Sequence, residues 1–335
     1  MLKRNLIFKE YISNRNLPKN YKESDIILFG HELRKIIPKS YTFSRKNIIT
    51  KGQNLFNSRG NEILTDCSRM SKQSIKNKVR LFYRNRENIK SYKLVEKSSW
   101  IMDEKSRKFF HWMTDNLSRI GLLLKQNIDD PIIIDQDTYD CSFVKESIEL
   151  LKVNFIVTPS EKFYKHKEIT VTSKTAGSGN YNKELLNFIS YKLKQSVTDL
   201  PVSNIKKIWI SRSRTNHRKI KNENEIREII EDYGFKIVYP EQNNLKENIR
   251  LFNNAEWVAG LHGAGLTNMM FMERNNNILE IRRKNDENNN CYFTMASDLE
   301  QNYFYLNAES LNENFYLSDC ILDPKELKQF FKRYL

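Results

Sequence analysis

Three of the chain's ten glycines, Gly260, Gly263 and Gly265, fall within six positions of one segment, "GLHGAGLTN". Glycines at a strand-to-helix turn let backbone approach a ligand closely, and free N–H groups at a helix start favour an anion. His262 sits inside this loop and reads either as a satisfied loop histidine or as a donor to the same ligand. The order is GxxGxG, not the GxGxxG of the dinucleotide fingerprint, and no GK[ST] follows, so it is not a P-loop. A tight turn closed by packing glycines accounts for the same spacing.

A second group lies in "ISRSRTNHRKIKNE". Arg212, Arg214 and Arg218 follow a short apolar run, close enough in sequence to converge on one anion through guanidinium forks. A solvated basic face is the competing reading. Glu280 closes the apolar run "NILE", where a carboxylate could accept hydrogen bonds from ribose hydroxyls. A glycine loop, an arginine cluster and a strand-end carboxylate together describe a nucleoside-diphosphate site.

The third group is in "FFHWMTDNLSRIGLLL". His111, Asp115 and Arg119 are each four apart and form one polar stripe, opposite Phe109, Trp112, Met113, Leu117, Ile120 and Leu124. The stripe reads either as a general base, Asp115 beside His111, or as a surface Asp115–Arg119 pair worth about 0.3–0.5 kcal/mol. The spacing accommodates both. "DQD" at Asp135–Asp137 mimics a DxD metal motif but reads as the polar end of strand "PIIID".

The elements that must hold these groups are clearest after Ile205. Strand "KKIWI", helix "NENEIREIIEDYGF", strand "KIVYP", helix "NLKENIRLFNNA", strand "EWVAGL", the glycine loop, helix "LTNMMFM" and strand "NNILEI" alternate as in parallel α/β domains. The glycine loop then falls at strand carboxyl ends, where such sheets bind ligands. The middle third repeats the pattern with helix "SRKFFHWMTDNLSRIGLLLKQ", strand "PIIID", helix "SFVKESIELLKV" and strands "FIVTP" and "EITVTS". "TAGSGNYN" reads as a loop, and "SVTDLPVSN" separates the halves. "LDPKELKQFFKRYL" is a C-terminal amphipathic helix begun by Asp323 and Pro324. The expected divisions are 1–95, a segment with no motif assigned to the acceptor domain; 96–200; 201–318; and 319–335.

At 335 residues, with 39% hydrophobic and 12% aromatic residues, the chain can bury two cores. A net charge of +15 fits an anionic partner, but abundant Lys and Asn throughout make a basic solvated surface the simpler account. Cys67, Cys141, Cys291 and Cys320 form no CxxC pair, so neither a zinc site nor a disulfide framework is expected. With no signal-like or spanning apolar run, a cytoplasmic location is expected, with peripheral contact at an acidic inner membrane face. No RRM, KH or helix-turn-helix pattern appears, which weighs against a nucleic-acid-binding protein. An NAD-dependent oxidoreductase is disfavoured because the fingerprint's downstream acidic residue is missing.

Three blocks carry a resemblance. "GLHGAGLTNMMFM" with "ILEI", "ISRSRTNHRKIKNENEI" and "FHWMTDNLSRI" are similar, in order and spacing, to the HGAGLT, SR…RxIxNE and HWxxDxLPR blocks of glycosyltransferase family 61. The likeness runs from about Trp100 to Tyr305, with Ser118 where the family commonly has Pro. It implies an α/β GT-B fold with two Rossmann-like domains facing a cleft. It also implies a nucleotide-sugar donor, usually UDP-linked, inversion at the anomeric carbon, no obligatory metal or other cofactor, and a glycan or glycolipid acceptor, as in polysaccharide or capsule synthesis. By position it makes Asp115 the base beside His111. Arg212 and Arg218 hold the diphosphate, with Arg214 a rival for the place of Arg212. His262, Gly263, Ala264, Gly265, Leu266, Thr267 and Asn268 cradle the nucleotide, and Glu280 meets the ribose.

Overall fold

The computed structural model describes residues 4–60, 62–64, 74–85, 92–199, 201, 203–312 and 318–335. Cys67, parts of the segment 1–95, and Leu200 and Val202 of the expected separator lie outside them. The chain divides into two compact α/β units, Met1–Tyr11 with Ile37–Gly177, and Ile12–Ile36 with Ser178–Leu335.

The chain begins with strand β1 (Arg4–Phe8) and departs through β2 (Tyr11–Asn14) and β3 (Arg34–Ile37), which pair with each other. It continues with β4 (Ser40–Lys51), β5 (Asn54–Phe56), β6 (Lys93–Trp100), β7 (Ile132–Asp135), β8 (Phe155–Thr158) and β9 (Tyr164–Thr172). The first unit's sheet runs β1-β4-β9-β6-β7-β8, with β5 on β4. The β9-β6-β7-β8 part is parallel and the β1-β4-β9 edge antiparallel. All four residues of β7 are buried, as a continuous apolar strand covered on both faces should be.

The second unit is more regular. Strands β10 (Lys207–Ile210), β11 (Lys236–Val238), β12 (Trp257–Leu261), β13 (Asn277–Arg283), β14 (Asn302–Ser310) and β15 (Cys320–Ile321) order as β11-β10-β12-β13-β14-β15. Every pairing is parallel except β14 with β15. Sequence signals mark the helices between them. Gly234, at φ +81°, closes the helix Glu223–Asp232. Asn244 and Glu247 form a reciprocal capping box on Leu245–Asn253. Asp323 caps the C-terminal helix Pro324–Tyr334 through the Lys325 N–H. The core gathers Trp209, Ile226, Ile230, Leu279, Ile281 and Phe331.

The structure differs from the sequence reading in its boundaries. The division falls at Gly177/Ser178, inside "TAGSGNYN", and the helix Lys183–Gln195 belongs to the second unit. That helix is held there by Ser190 Oγ donating to the Met270 carbonyl at 2.5 Å and by Lys194 pairing with Glu273. Residues 12–36 also join the second unit. Arg15 donates to Asn180 at 2.6 Å, Lys19 N to the Tyr303 carbonyl, and Phe29 packs on Phe293 and Tyr305. The segment "LTNMMFM" forms a 3₁₀-helix, Ala264–Phe271, rather than an α-helix. Among the described residues, no helix is long and apolar enough to cross a membrane.

Candidate functional site

In the second unit, the expected residues gather at the carboxyl ends of β10, β12 and β13. The loop after β10 wraps around Arg212. Its Nε donates to the Arg218 carbonyl at 2.9 Å and its Nη2 to the His217 carbonyl at 3.3 Å. Arg218 holds this curl with a left-handed φ of +60°. Ser211 and Glu223, flanking members of the same block, are structural. Buried Glu223 accepts from Ser211 Oγ at 2.9 Å and Trp209 Nε1 at 3.2 Å, pinning the loop to the next helix. Asn222 clamps both backbone polar groups of Leu322.

Burial, reinforced by the like charge of Arg218, pushes Arg212 down to about 10. Arg212 is still cationic at neutral pH. Burial also lowers Arg283, with Arg218 among the neighbours acting in the same direction. Among the described residues, no carboxylate comes within ion-pair distance of Arg212 or Arg218. An anion would relieve that crowding. Arg214 is placed differently: its Nη1 donates to Gln242 at 2.6 Å and its guanidinium stacks 4.1 Å from the Tyr239 ring. It does not share the crowd around Arg212.

The glycines have a steric explanation. A Cβ on Gly260 would lie 3.0 Å from Ile210 Cβ and 3.1 Å from its carbonyl, and one on Gly265 2.9 Å from Ile210 Cγ2. A Cβ on Gly263 would overlap the Arg212 guanidinium. The loop is glycine-rich because it packs on the end of β10 and leaves room for Arg212. Leu266, Thr267 and Asn268 are buried at 1% exposure or less, so their side chains line the interior; His262, Ala264 and Gly265 are half-buried.

Glu280, expected at the ribose, has its carboxylate inside the second unit. It is fully buried on β13. One oxygen faces His262 Nδ1 at 2.5 Å, and the other accepts from Tyr303 Oη at 2.5 Å with Arg282 at 3.7 Å. His262 is clamped further by its backbone N–H donating to the Ile281 carbonyl at 2.9 Å, and its ring sits edge-on to Tyr292 at 5.1 Å. Arg283 and Tyr292 were missed from sequence. The signal for Arg283 was the unusual end of β13, an apolar strand finishing Glu-Ile-Arg-Arg.

In the first unit, His111 Nδ1 and Asp115 Oδ2 are 2.9 Å apart, each side chain slightly exposed. The helical stripe is broken by a π-helical turn, Trp112–Asn116, between Phe109–His111 and Leu117–Lys125. The turn rotates Arg119 inward. At 2% exposure it donates to the Ile101 carbonyl at 2.6 Å and to Asp103 at 3.1 Å, so it is no surface cation. Asn116 donates to Ile101 and Ser106, and Trp112 Nε1 to Ser147. These anchors leave His111 and Asp115 on the outer side. Ser118 Oγ donates to the Thr114 carbonyl at 2.6 Å, which satisfies a carbonyl at the irregular turn. The "DQD" carboxylates are used locally. Asp135 caps the following short helix and, with Asp137, binds Arg107. Among the described residues, no three His, Cys, Asp or Glu side chains are grouped to hold a metal ion.

Comparison with known proteins bears on these residues directly. The family described as Glycosyltransferase 61 matches residues 109–279, just over half the chain and spanning all three blocks up to β13. An alpha-1,3-arabinosyltransferase, XAT2, of Oryza sativa subsp. japonica is 34% identical over 86 residues, which is 25% of this chain and 14% of that protein. The chain thus matches only a small part of that relative's length. The family match alone covers the half-chain that holds His111, Asp115, the arginine loop and the glycine loop, and on it the chain belongs to glycosyltransferase family 61.

Proposed function

We propose that this protein moves a sugar from a nucleotide-sugar, UDP-linked, to a hydroxyl of a glycan acceptor, with inversion and without a metal. The observation that carries the reading is the Arg212–Arg218 cluster. Two guanidiniums, neither within reach of a carboxylate among the described residues, stand beside the glycine loop at parallel strand ends. The two α/β units are read as the halves of a GT-B enzyme, the second holding the donor.

Arg212 and Arg218 bind the diphosphate and stabilise the charge it gains on leaving, the work a metal does elsewhere. Asp115, oriented by His111, takes the proton of the acceptor hydroxyl while that oxygen attacks C1 of the sugar. The C1–O bond to the diphosphate breaks with its electron pair, and the nucleoside diphosphate departs. The relative's name makes UDP-arabinose the first donor to try.

Isothermal titration of UDP and UDP-sugars, with and without EDTA, tests the proposal. Binding that survives chelation is expected. Loss of binding on chelation would overturn the metal-free part, and binding of generic DNA in place of any nucleotide would overturn the donor site itself.

A further inference from the structure

Glu280 and His262 form a pair whose geometry assigns different jobs to the two residues. The Glu280 carboxylate is fully buried between His262, Tyr303 and Arg282. Both of its oxygens face side chains of the unit's interior, and none of its surface is open to solvent. His262 alone of this group is half-buried, at the surface of the glycine loop and next in sequence to the glycine that seats Arg212.

Resting on the donor-site reading above, we infer that Glu280 is a positioning residue that holds His262 with its proton on Nδ1, so that Nε2 is presented to the donor as a hydrogen-bond acceptor. A carboxylate can only accept, so the ring nitrogen facing it must donate. The neutral ring then carries its lone pair on Nε2. Two acceptors do not bond each other, so the partner of Nε2 is not a phosphate oxygen but an O–H or N–H of the donor, and the donor groups flanking the diphosphate are the hydroxyls of the ribose and the sugar. The loop thereby divides recognition: Arg212 takes the anion and His262 reads a hydroxyl.

Replacing Glu280 by Gln makes a sharp prediction about the ring. Arg282 never accepts and the Tyr303 hydroxyl already donates, so the new amide oxygen turns to them. Its NH₂ then faces Nδ1, which must become an acceptor, and the proton moves to Nε2.

The test uses the full chain with ¹⁵N-labelled histidine at mildly alkaline pH, the His262 signals assigned by their loss in His262→Gln. The wild type is expected to show the Nδ1–H tautomer and Glu280→Gln the Nε2–H tautomer. An Nε2–H or doubly protonated ring in the wild type overturns the inference. So does an unchanged tautomer in the variant.

Binding supplies the second readout, with UDP, 2′-deoxy-UDP, UDP-arabinose and pyrophosphate as probes. Replacing His262 by Phe should cost about three- to tenfold for the probe bearing the hydroxyl and leave pyrophosphate unchanged. A loss confined to UDP against 2′-deoxy-UDP locates the hydroxyl on the ribose, and one confined to UDP-arabinose locates it on the sugar. An equal loss for pyrophosphate overturns the hydroxyl role. The His262→Phe/Glu280→Gln double variant should bind no worse than His262→Phe, because Glu280 acts through the ring. Additive losses would mean that Glu280 acts on its own, and would overturn the positioning role. If the wild type binds no nucleotide at all, the donor-site reading fails, while the tautomer measurement still decides the pair.

Discussion

The Arg212 guanidinium occupies the space that a side chain at Gly263 would fill. One family block is therefore shaped around a residue of another, which ties the glycine loop to the arginine cluster sterically before any ligand is considered.

That relationship separates the glycines by phenotype. At Gly263 the backbone is extended, so alanine is tolerated there, and the atom it displaces is the tip of a flexible side chain. Gly263→Ala should leave the melting temperature nearly unchanged and weaken UDP binding by about 1.5–3 kcal/mol, the range for hydrogen bonds to charged groups. At Gly260 the obstruction is Ile210 Cβ and its carbonyl, inside the sheet. Gly260→Ala should destabilise the second unit by about 1–3 kcal/mol through overpacking. Calorimetry and thermal melts on both variants check the pair, and a Gly263→Ala protein that binds UDP normally would remove Arg212 from the anion seat.

The arginines should divide in the same way. Arg218→Ala should lower UDP affinity by about 1.5–3 kcal/mol. Arg214, engaged by Gln242 and Tyr239, should be replaceable by Ala with at most a twofold or so effect, below about 0.5 kcal/mol. Titration of UDP into each variant decides it. The reverse ranking would show that the loop rearranges to bring Arg214 to the ligand.

Much of this was legible in sequence, and the gaps have physical causes. From β10 onward, strand and helix periods alternate locally, so the second unit's parallel sheet and the placing of the arginine loop and the glycine loop at its strand ends could be read directly. The membership of residues 12–36 could not, because Arg15 and Phe29 find their partners at Asn180, Phe293 and Tyr305, far along the chain. The inward turn of Arg119 was hidden by the π-helical turn, since a constant four-residue spacing assumes an unbroken α-helix. The burial of Glu280 was hidden for a related reason: a carboxylate at a strand end suggests exposure, and only its neighbours Tyr303 and Arg282 show that the polar end of β13 is buried.

Two buried groups make the units respond oppositely to acid. His166, between Thr50 and Ser98 in the first unit, is held by burial at about 4, below its ordinary 6.5. The unfolded chain takes up that proton first, so falling pH between 6.5 and about 4 drains stability. Asp298, beside Arg15 and Ser13 in the second unit, is raised by burial to about 6 from 3.8. There the folded state binds the proton first, so its contribution is full below 3.8 and is lost as pH rises through about 6. Each effect is on the order of 3 kcal/mol. Hydrogen exchange read separately for the two units should show His166→Gln blunting the acid loss in the first and Asp298→Asn removing the acid gain in the second. Parallel pH trends in both variants would refute the assignment.

Arg119, turned inward to Ile101 and Asp103, is no surface cation, so the simple surface-pair account of Asp115 loses its partner's exposure. What Asp115 keeps is His111 at 2.9 Å on the outer side of the turn. Asp115→Asn preserves shape and can still bond the ring, but it cannot take a proton. Sugar transfer should fall by at least about 10²-fold, with UDP affinity and melting temperature barely changed, because the second unit is untouched and the turn is anchored by Trp112, Asn116 and Arg119. His111→Gln should cost less than Asp115→Asn if the carboxylate takes the proton, and at least as much if the imidazole does. Turnover, donor affinity and melting should be measured on one preparation of each variant. Near-normal turnover in Asp115→Asn, with a stability loss of about 1 kcal/mol, would leave the pair a structural contact and send the search for the base elsewhere.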